Sequence, residues 1–267
     1  MGESSLREAI ETCVLAAGDI ITGAENDRAD HMTKSGHANF VTVYDQKVQE
    51  FLIGRLSKLV PEARFLGEEE GKDRFCDDYR RGLLFIIDPI DGTSNFMSGY
   101  YPYVISVALY RDGKPYIGVI YNPPSGQLFS AEAGCGAYMQ KAAVRTRLHV
   151  SDKPLKESLV LFGTSPYRSD LSAETFRLAA AYLPACIDLR RSGAAAWDLC
   201  MIAAGHAGLY FECTLGIWDY AAGALIVTEA GGTVRQLTGS PLTFDGPSSI
   251  LAYGTGVGEA DLIFKGE

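Results

Sequence analysis

Apolar residues recur every three to four positions early in the chain. Leu6, Ile10, Val14, Ala17 and Ile21 fall on one face, which predicts an amphipathic helix over residues 4–26, with Ser4 or Ser5 as its N-cap. Val48, Leu52, Leu56 and Leu59 repeat the spacing and predict a second helix over about 45–59 that stops ahead of Pro61. A short strand over 63–66 leads into Gly67-Glu68-Glu69-Glu70. The run Leu83-Leu84-Phe85-Ile86-Ile87 is apolar without interruption, the mark of a strand covered on both faces. It ends in Asp88-Pro89-Ile90-Asp91-Gly92-Thr93.

Between Tyr103 and Met139 the period changes to two. Val104, Ser106 and Ala108 alternate with Ile105, Val107 and Leu109. Arg111-Asp112-Gly113-Lys114 and Asn122-Pro123-Pro124-Ser125-Gly126 read as turns, so this stretch predicts an antiparallel meander. Strands and helices then alternate: strand 158–162, helix 171–182, strand 186–190, helix 194–204, strand 208–212 and helix 217–230, which closes at Gly231-Gly232. Strands over 233–237 and 249–253 complete the pattern. No repeat, low-complexity stretch or linker interrupts residues 1–267. A single α+β domain with two sheet-bearing halves is expected, with a soft boundary near residue 145.

Composition narrows the function classes. Hydrophobic residues make up 47% and charged residues 21%, enough for a sizeable core and unlike a disordered chain. No stretch reaches the ~18–20 apolar residues of a membrane helix, and no membrane contact is expected. The first residues lack the basic-then-apolar order of a secretory signal. The six cysteines are scattered without a C-x-x-C pair, which points to reduced thiols and a cytoplasmic location. The formal charge is −9, from 24 Lys+Arg against 33 Asp+Glu. Long-range repulsion of phosphate then predicts no nucleic-acid partner. Taken alone, the same charge argues against a phosphorylated substrate, and here the motifs disagree with it.

Four acidic groups enter or end apolar elements: Asp45, Glu68-Glu69-Glu70, Asp88 with Asp91, and Asp219. Acids commonly cap helices and decorate loops, and Asp219 near a helix start suits the macrodipole. That explanation is weakest for Asp88 and Asp91. Two carboxylates three residues apart, straight after a buried strand, repel unless a cation neutralises them. Pro89 stiffens the loop, and Gly92 permits tight backbone geometry. Carboxylates and carbonyls, with no Cys or His nearby in sequence, form the ligand set of a hard cation such as Mg²⁺. Thr93, Ser94 and Asn95 follow and suit the start of a short helix that receives an anion. One loop thus combines metal ligands with a phosphate cradle, the pairing that metal-assisted phosphoryl transfer needs.

At this point the motifs can be matched as a set. Gly67-Glu68-Glu69, Asp88-Pro89-Ile90-Asp91-Gly92-Thr93-Ser94-Asn95-Phe96, Trp218-Asp219-Tyr220-Ala221-Ala222-Gly223 and Glu229-Ala230-Gly231-Gly232 together resemble the inositol monophosphatase family. Lys34 with Val41-Thr42-Val43-Tyr44-Asp45, and Arg191-Ser192-Gly193-Ala194-Ala195, extend the resemblance from about residue 6 to 253. It implies a layered α-β-α-β-α sandwich of the sugar-phosphatase type. Members are usually dimeric and many are inhibited by Li⁺, so a homodimer is expected. The implied activity is Mg²⁺-dependent hydrolysis of a small phosphomonoester, inositol 1-phosphate or a similar polyol or sugar phosphate, with two or three ions bound. Glu68, Asp88 and the Ile90 carbonyl are similar to the ligands of a first ion; Asp88, Asp91 and Asp219 to those of a second. A third, weaker ion would lean on Glu68. Thr93 and Glu68 resemble the pair that orients and deprotonates the attacking water, with Asp45 as a supporting catalytic group. Gly92 and Thr93 would hold the phosphate through backbone N–H groups. Asp91, Gly193, Ala194, Ala195, Glu212 and Asp219 match positions that contact the alcohol part, and Lys34 is similar to a group near the metals and substrate.

The sequence also departs from the pattern. Family members commonly carry a His after Asn95-Phe96 and reach the next Pro in six residues, whereas Met97-Ser98-Gly99-Tyr100-Tyr101-Pro102 has no His and takes seven. Ala194 stands where Ser or Thr is common, and Asn39 where Asp is frequent. These differences bear on substrate identity, not on a metal ligand. The alternatives are a fructose-1,6-bisphosphatase, a 3′-phosphoadenosine nucleotidase, or a non-catalytic regulatory homologue; against the last, every expected ligand and Thr93 is present. An oxidoreductase is disfavoured, because Gly254-Thr255-Gly256-Val257-Gly258 lacks the dinucleotide spacing and reads as a loose C-terminal loop. His31, His37, His149 and His206 read as surface or structural residues, and Trp197 and Trp218 as core. Arg190 and Arg191 read as a solvated pair or a dimer contact.

Overall fold

The apolar run at Leu83 becomes the second strand of a seven-stranded sheet, and the later alternating strands build a second sheet of five. The structure is a computed structural model that describes residues 5–23, 31–33, 40–69, 80–244 and 246–264. In chain order the elements are helix α1 (Leu6–Gly23), strands β1 (His31–Thr33) and β2 (Phe40–Thr42), helix α2 (Val43–Leu59), strands β3 (Arg64–Gly67) and β4 (Leu83–Asp91), and helix α3 (Thr93–Ser98). Strands β5 (Val104–Arg111), β6 (Lys114–Asn122), β7 (Gln127–Glu132), β8 (Ala137–Lys141) and β9 (Val144–Arg147) follow. Then come β10 (Leu159–Phe162), α4 (Ser172–Tyr182), β11 (Asp188–Arg190), α5 (Ala195–Ala203), β12 (Leu209–Leu215), α6 (Ile217–Glu229), β13 (Thr233–Arg235) and β14 (Ser248–Tyr253).

The first sheet runs in sequence order from β3 to β9; β3 and β4 are parallel, and every later pairing is antiparallel. The β5–β6 turn holds Asp112 and Gly113 at φ 50° and 73°, the left-handed pair a tight hairpin requires. In the second sheet the order is β11-β10-β12-β14-β13, with the first three strands parallel.

Three buried clusters show the layering. Ile10, Val14, Ile21, Leu52 and Leu56 of α1 and α2 cover one face of the first sheet, against Phe85, Ile105 and Val119. Its other face meets α5 and α6, whose opposite side meets Tyr210, Ile250 and Ala252 of the second sheet. Leu178 and Tyr182 of α4 close the far face on Phe211 and Leu251. The result is α-β-α-β-α. The middle layer is rich in Ala and Gly because it lies between two sheets. A Cβ on Gly118 of β6 would sit 2.8 Å from the Ala222 carbonyl oxygen of α6, so this strand and helix touch backbone to backbone.

Boundaries shift where caps or bulges intervene. Helix α2 starts ahead of residue 45, because the Thr42 hydroxyl accepts from the N–H groups of Tyr44 and Asp45. Strand β4 continues past Ile87 to Asp91, with a register shift against β5 between Asp88 and Asp91. The glycines at 254–258 do not form a loose loop: Gly254 and Gly256 press against the backbone of Ser151, Asp152 and Lys153, where no Cβ would fit. Replacing Gly118 with Ala should lower stability by about 1–3 kcal/mol through overpacking against α6, read as a drop in the urea midpoint at unchanged slope.

Candidate active site

Parallel strands deliver their next residues to the same edge. Gly67 of β3 pairs with Ile87 of β4, and the Glu68 N–H donates to the Ile87 carbonyl at 3.0 Å. Glu68 and Asp88 therefore enter one cleft together. The irregularity after Asp88 returns Asp91 to the same place, and the first turn of α6 brings Asp219. Carboxylate oxygens of Asp88, Asp91 and Asp219 lie within 4.8 Å of one another. Glu68 lines the same cleft but stands outside that tight trio.

Backbone amides hold each acid. Asp88 accepts from the Ile90 N–H at 3.0 Å. Asp91 accepts from Ala195 at 3.2 Å and Ala196 at 2.6 Å, the opening residues of α5. Asp219 accepts from Gly216 at 2.8 Å, and the Ser106 hydroxyl on β5 secures the same turn by donating to the Trp218 carbonyl at 3.3 Å. Trp218, expected in the core, is half-buried and lines the cleft while packing against the middle layer. Arg190 pairs with Asp188, whereas Arg191 lines the cleft and donates to Thr164 Oγ1 at 3.0 Å.

Thr93 sits at the centre of a small network. Its hydroxyl lies 3.0 Å from the Ile90 carbonyl and 3.3 Å from Asp45 Oδ1. Asp45, fully buried, accepts through its other oxygen from the Thr42 N–H at 2.7 Å and hydroxyl at 2.5 Å. Gly92 takes φ 95°, and a Cβ there would crowd the Pro102 carbonyl and Ala194. Asn95 Nδ2 donates to the carbonyls of Pro102 at 2.6 Å and Ser192 at 2.9 Å, tying the phosphate-loop segment to the Gly193 turn. Gly193, Ala194, Ala195 and Glu212 line the cleft as expected, but the Ala195 N–H is already bonded to Asp91. Lys34, Asn39, Glu70 and His37 lie outside the described residues.

Burial makes this acidic group expensive. Desolvation raises Asp88 well above the usual carboxylate range, and Glu68, Asp91 and Asp219 add to it. Asp219 is raised by burial first, then by Asp91, Glu68 and Glu212. Burial lifts Asp91 to about 7 although the Ala195 and Ala196 amides pull the other way. Such a set binds a positive ion far better than it tolerates three bare charges. All-oxygen donors, with a carbonyl at Ile90 in the same cleft, fit a hard divalent cation.

Several contributors are not visible from motifs. The Glu69 N–H donates to Gln49 Oε1 of α2 at 3.3 Å, and Gln49 packs flat on Gly67, so α2 braces the Glu68 corner. Tyr210 at 2.7 Å and Ser165 donate to the expected Glu212 and hold it. Asp198 is buried at the cleft wall, and burial raises its pKa. The two-residue spacing of Tyr210 and Glu212 on one strand face was the only local clue to any of these. The cleft encloses about 320 Å³, room for a small phosphorylated molecule.

A carboxylate trio beside a Gly-Thr turn, in an α-β-α-β-α sandwich, has the donor set of a metal-assisted phosphatase site. The chain belongs to the inositol monophosphatase family, whose model matches residues 3–262. Among curated relatives, a protein of Vibrio cholerae named Nus factor SuhB is 34% identical over 241 residues, 88% of this chain and 85% of that one. An inositol-1-monophosphatase of Bacillus subtilis is 32% identical over 93% of this chain and 92% of its own length. Among solved structures, the extragenic suppressor protein suhB of Bartonella henselae aligns with a TM-score of 0.84 at 31% identity over 95% of both chains. SaIMPase-II bound to inositol monophosphate aligns at 0.78 and 28% identity, over 97% of this chain and 92% of that one. Membership supports phosphatase activity on a small phosphorylated substrate. The charge of −9 does not exclude a nucleic-acid partner, because several relatives carry the name Nus factor. No described helix is long and apolar enough to cross a membrane.

The raised acids link stability to pH. Between 3.8 and about 7 the native Asp91 holds a proton that the unfolded chain has released, so stability falls as pH rises through that window. In chelator, Asp91→Asn should therefore gain thermal stability over the wild type on going from ~pH 5 to ~pH 8. Scanning calorimetry reads the gap, and a constant gap would contradict the raised pKa.

Proposed function

We propose that this chain is a Mg²⁺-dependent phosphomonoesterase that releases phosphate from a small polyol or sugar phosphate, inositol 1-phosphate foremost. The observation that carries the reading is the packing of Asp88, Asp91 and Asp219 within 4.8 Å, in a cleft that Thr93 also lines. Glu68, Asp88 and the Ile90 carbonyl are the groups that would hold one ion, and Asp88, Asp91 and Asp219 a second; a third would lean on Glu68. When bound, Mg²⁺ supplies positive charge that offsets the charge on the phosphate and on the departing oxygen.

The chain's own groups set up the attack. The Thr93 hydroxyl has its proton engaged by Ile90 or Asp45, which leaves its oxygen to accept from a water in the cleft. Glu68 is the proposed acceptor of the water's other proton, while Thr93 orients that water. The N–H groups of Gly92 and Thr93 hold the phosphate in line. The water oxygen forms its bond to phosphorus as the bond to the alcohol oxygen breaks. The water's proton passes to Glu68, and the alcohol takes up a proton from solvent. Gly193, Ala194, Ala195 and Glu212 are assigned to the alcohol side, Asp91 and Asp219 are shared between metal and substrate, and Lys34 is assigned near the metals and substrate. A cytoplasmic homodimer sensitive to Li⁺ completes the reading.

The relatives named Nus factor favour a second reading, a regulatory homologue that keeps the fold. Phosphate release separates the two. The purified chain with Mg²⁺ should release phosphate from at least one of inositol 1-phosphate, fructose 1,6-bisphosphate, glycerol 2-phosphate and nucleotide phosphates; failure on all of them supports the regulatory reading. Asp91→Asn or Asp219→Asn should remove nearly all turnover, about 10³-fold or more, with the fold retained by circular dichroism. Undiminished turnover in metal-saturated Asp91→Asn sinks the proposed site.

A further inference from the structure

Beyond Phe162, the end of β10, the segment Gly163-Thr164-Ser165-Pro166-Tyr167-Arg168 forms one wall of the cleft. This strap is pinned unusually firmly. Ser165 is buried and holds φ at 40°, a left-handed conformation that non-glycine residues seldom adopt. Its N–H and hydroxyl lie 3.1 and 2.8 Å from Glu212 Oε1, and the hydroxyl is also 2.8 Å from the Thr214 carbonyl. The Arg168 N–H closes the turn on the Ser165 carbonyl at 2.8 Å. Gly163 leaves the room that the Glu212 carboxylate fills, since a Cβ there would overlap it. Thr164 is held by Arg191. Backbone strain of this kind persists where the surroundings over-determine it, and it concentrates where a side chain must be aimed.

The side chain being aimed is Tyr167. Its ring is about half exposed, at 48%, and lines the mouth of the cleft. Burial first, and then the negative charges of Asp219, Glu212, Glu68 and Asp91, raise the pKa of its phenol. Among the described residues no hydrogen bond engages its hydroxyl. Burial and the four carboxylates keep the phenol protonated, so its O–H is available as a donor near neutral pH. Lining the cleft, this O–H is placed for an oxygen of a bound alcohol to accept it.

We infer that Tyr167 is a specificity-determining residue whose phenolic O–H donates to a hydroxyl oxygen on the alcohol part of the substrate. The strap thereby favours polyol phosphates over phosphoesters without a hydroxyl at that place. The inference rests on the phosphatase reading. Tyr167→Phe removes the donor and keeps the half-exposed ring. With Mg²⁺ present, kcat/KM of this variant for inositol 1-phosphate should fall about 5–10-fold, the loss expected for one hydrogen bond. With p-nitrophenyl phosphate, which has no hydroxyl, it should stay within about twofold. Equal losses on both substrates, or no loss on either, overturn the inference while leaving the phosphatase reading intact. A wild type inert towards inositol 1-phosphate overturns the inference, and one inert towards every phosphoester of the panel as well overturns the phosphatase reading with it.

Discussion

Repulsion among the buried Asp88 and Asp91 and the partly buried Asp219, with oxygens inside 4.8 Å of one another, sets the terms for the elements around it. Bare carboxylates in such a place either take up protons or share a cation. The fold holds them together by spending its backbone amides on them. A β-bulge supplies one, two come from the opening turn of α5, and one precedes α6. The site is therefore stabilised from outside the strands that carry most of the acids. Its strain is relieved by what binds, not by further protein contacts.

One device occurs twice. Asp45 and Asp219 are each the third residue of a helix and reach back to the N–H of the residue just before it, Thr42 and Gly216. That bond makes each carboxylate turn as a unit with its helix. It also places a negative charge where the helix dipole favours one. α2 and α6 come from opposite ends of the chain and from different layers; α6 opens at the cleft, and α2 opens one layer behind it, against Thr93. Thr93 joins the two systems, since its hydroxyl touches both Asp45 and the carbonyl beside the trio.

Much of the framework was readable because it follows from periodicity. The uninterrupted run at Leu83, the alternation after Tyr103 and the Ala/Gly-rich helix at 217 each report a burial state, and burial state decides the layer. The Asp88–Thr93 string could be read because its acids are close in sequence. Gln49, Ser165, Tyr167 and Asp198 could not, because each reaches the cleft through tertiary contact alone. The start of α2 was misplaced by the cap at Thr42, which hydrophobic spacing does not register. The end of β4 was misplaced because charged residues rarely continue a buried strand, and here the bulge lets two of them do so. The glycines at 254 and 256 suggested freedom, whereas they serve close backbone approach to residues 151–153.

Helix α6 has no outward face. Its apolar residues serve the first sheet on one side and the second on the other, and at Ala222 it rests on the bare backbone of Gly118. A ribosome completes β3 to β9 well before it reaches Ile217. Until then the sheet face that will carry α6 stays open to water, apolar and unpaired. Such a nascent sheet is prone to association with its neighbours and is a natural client for chaperones. The helix that delivers Asp219 thus also covers the first sheet, so the order of synthesis leaves the site incomplete until the fold itself is nearly finished.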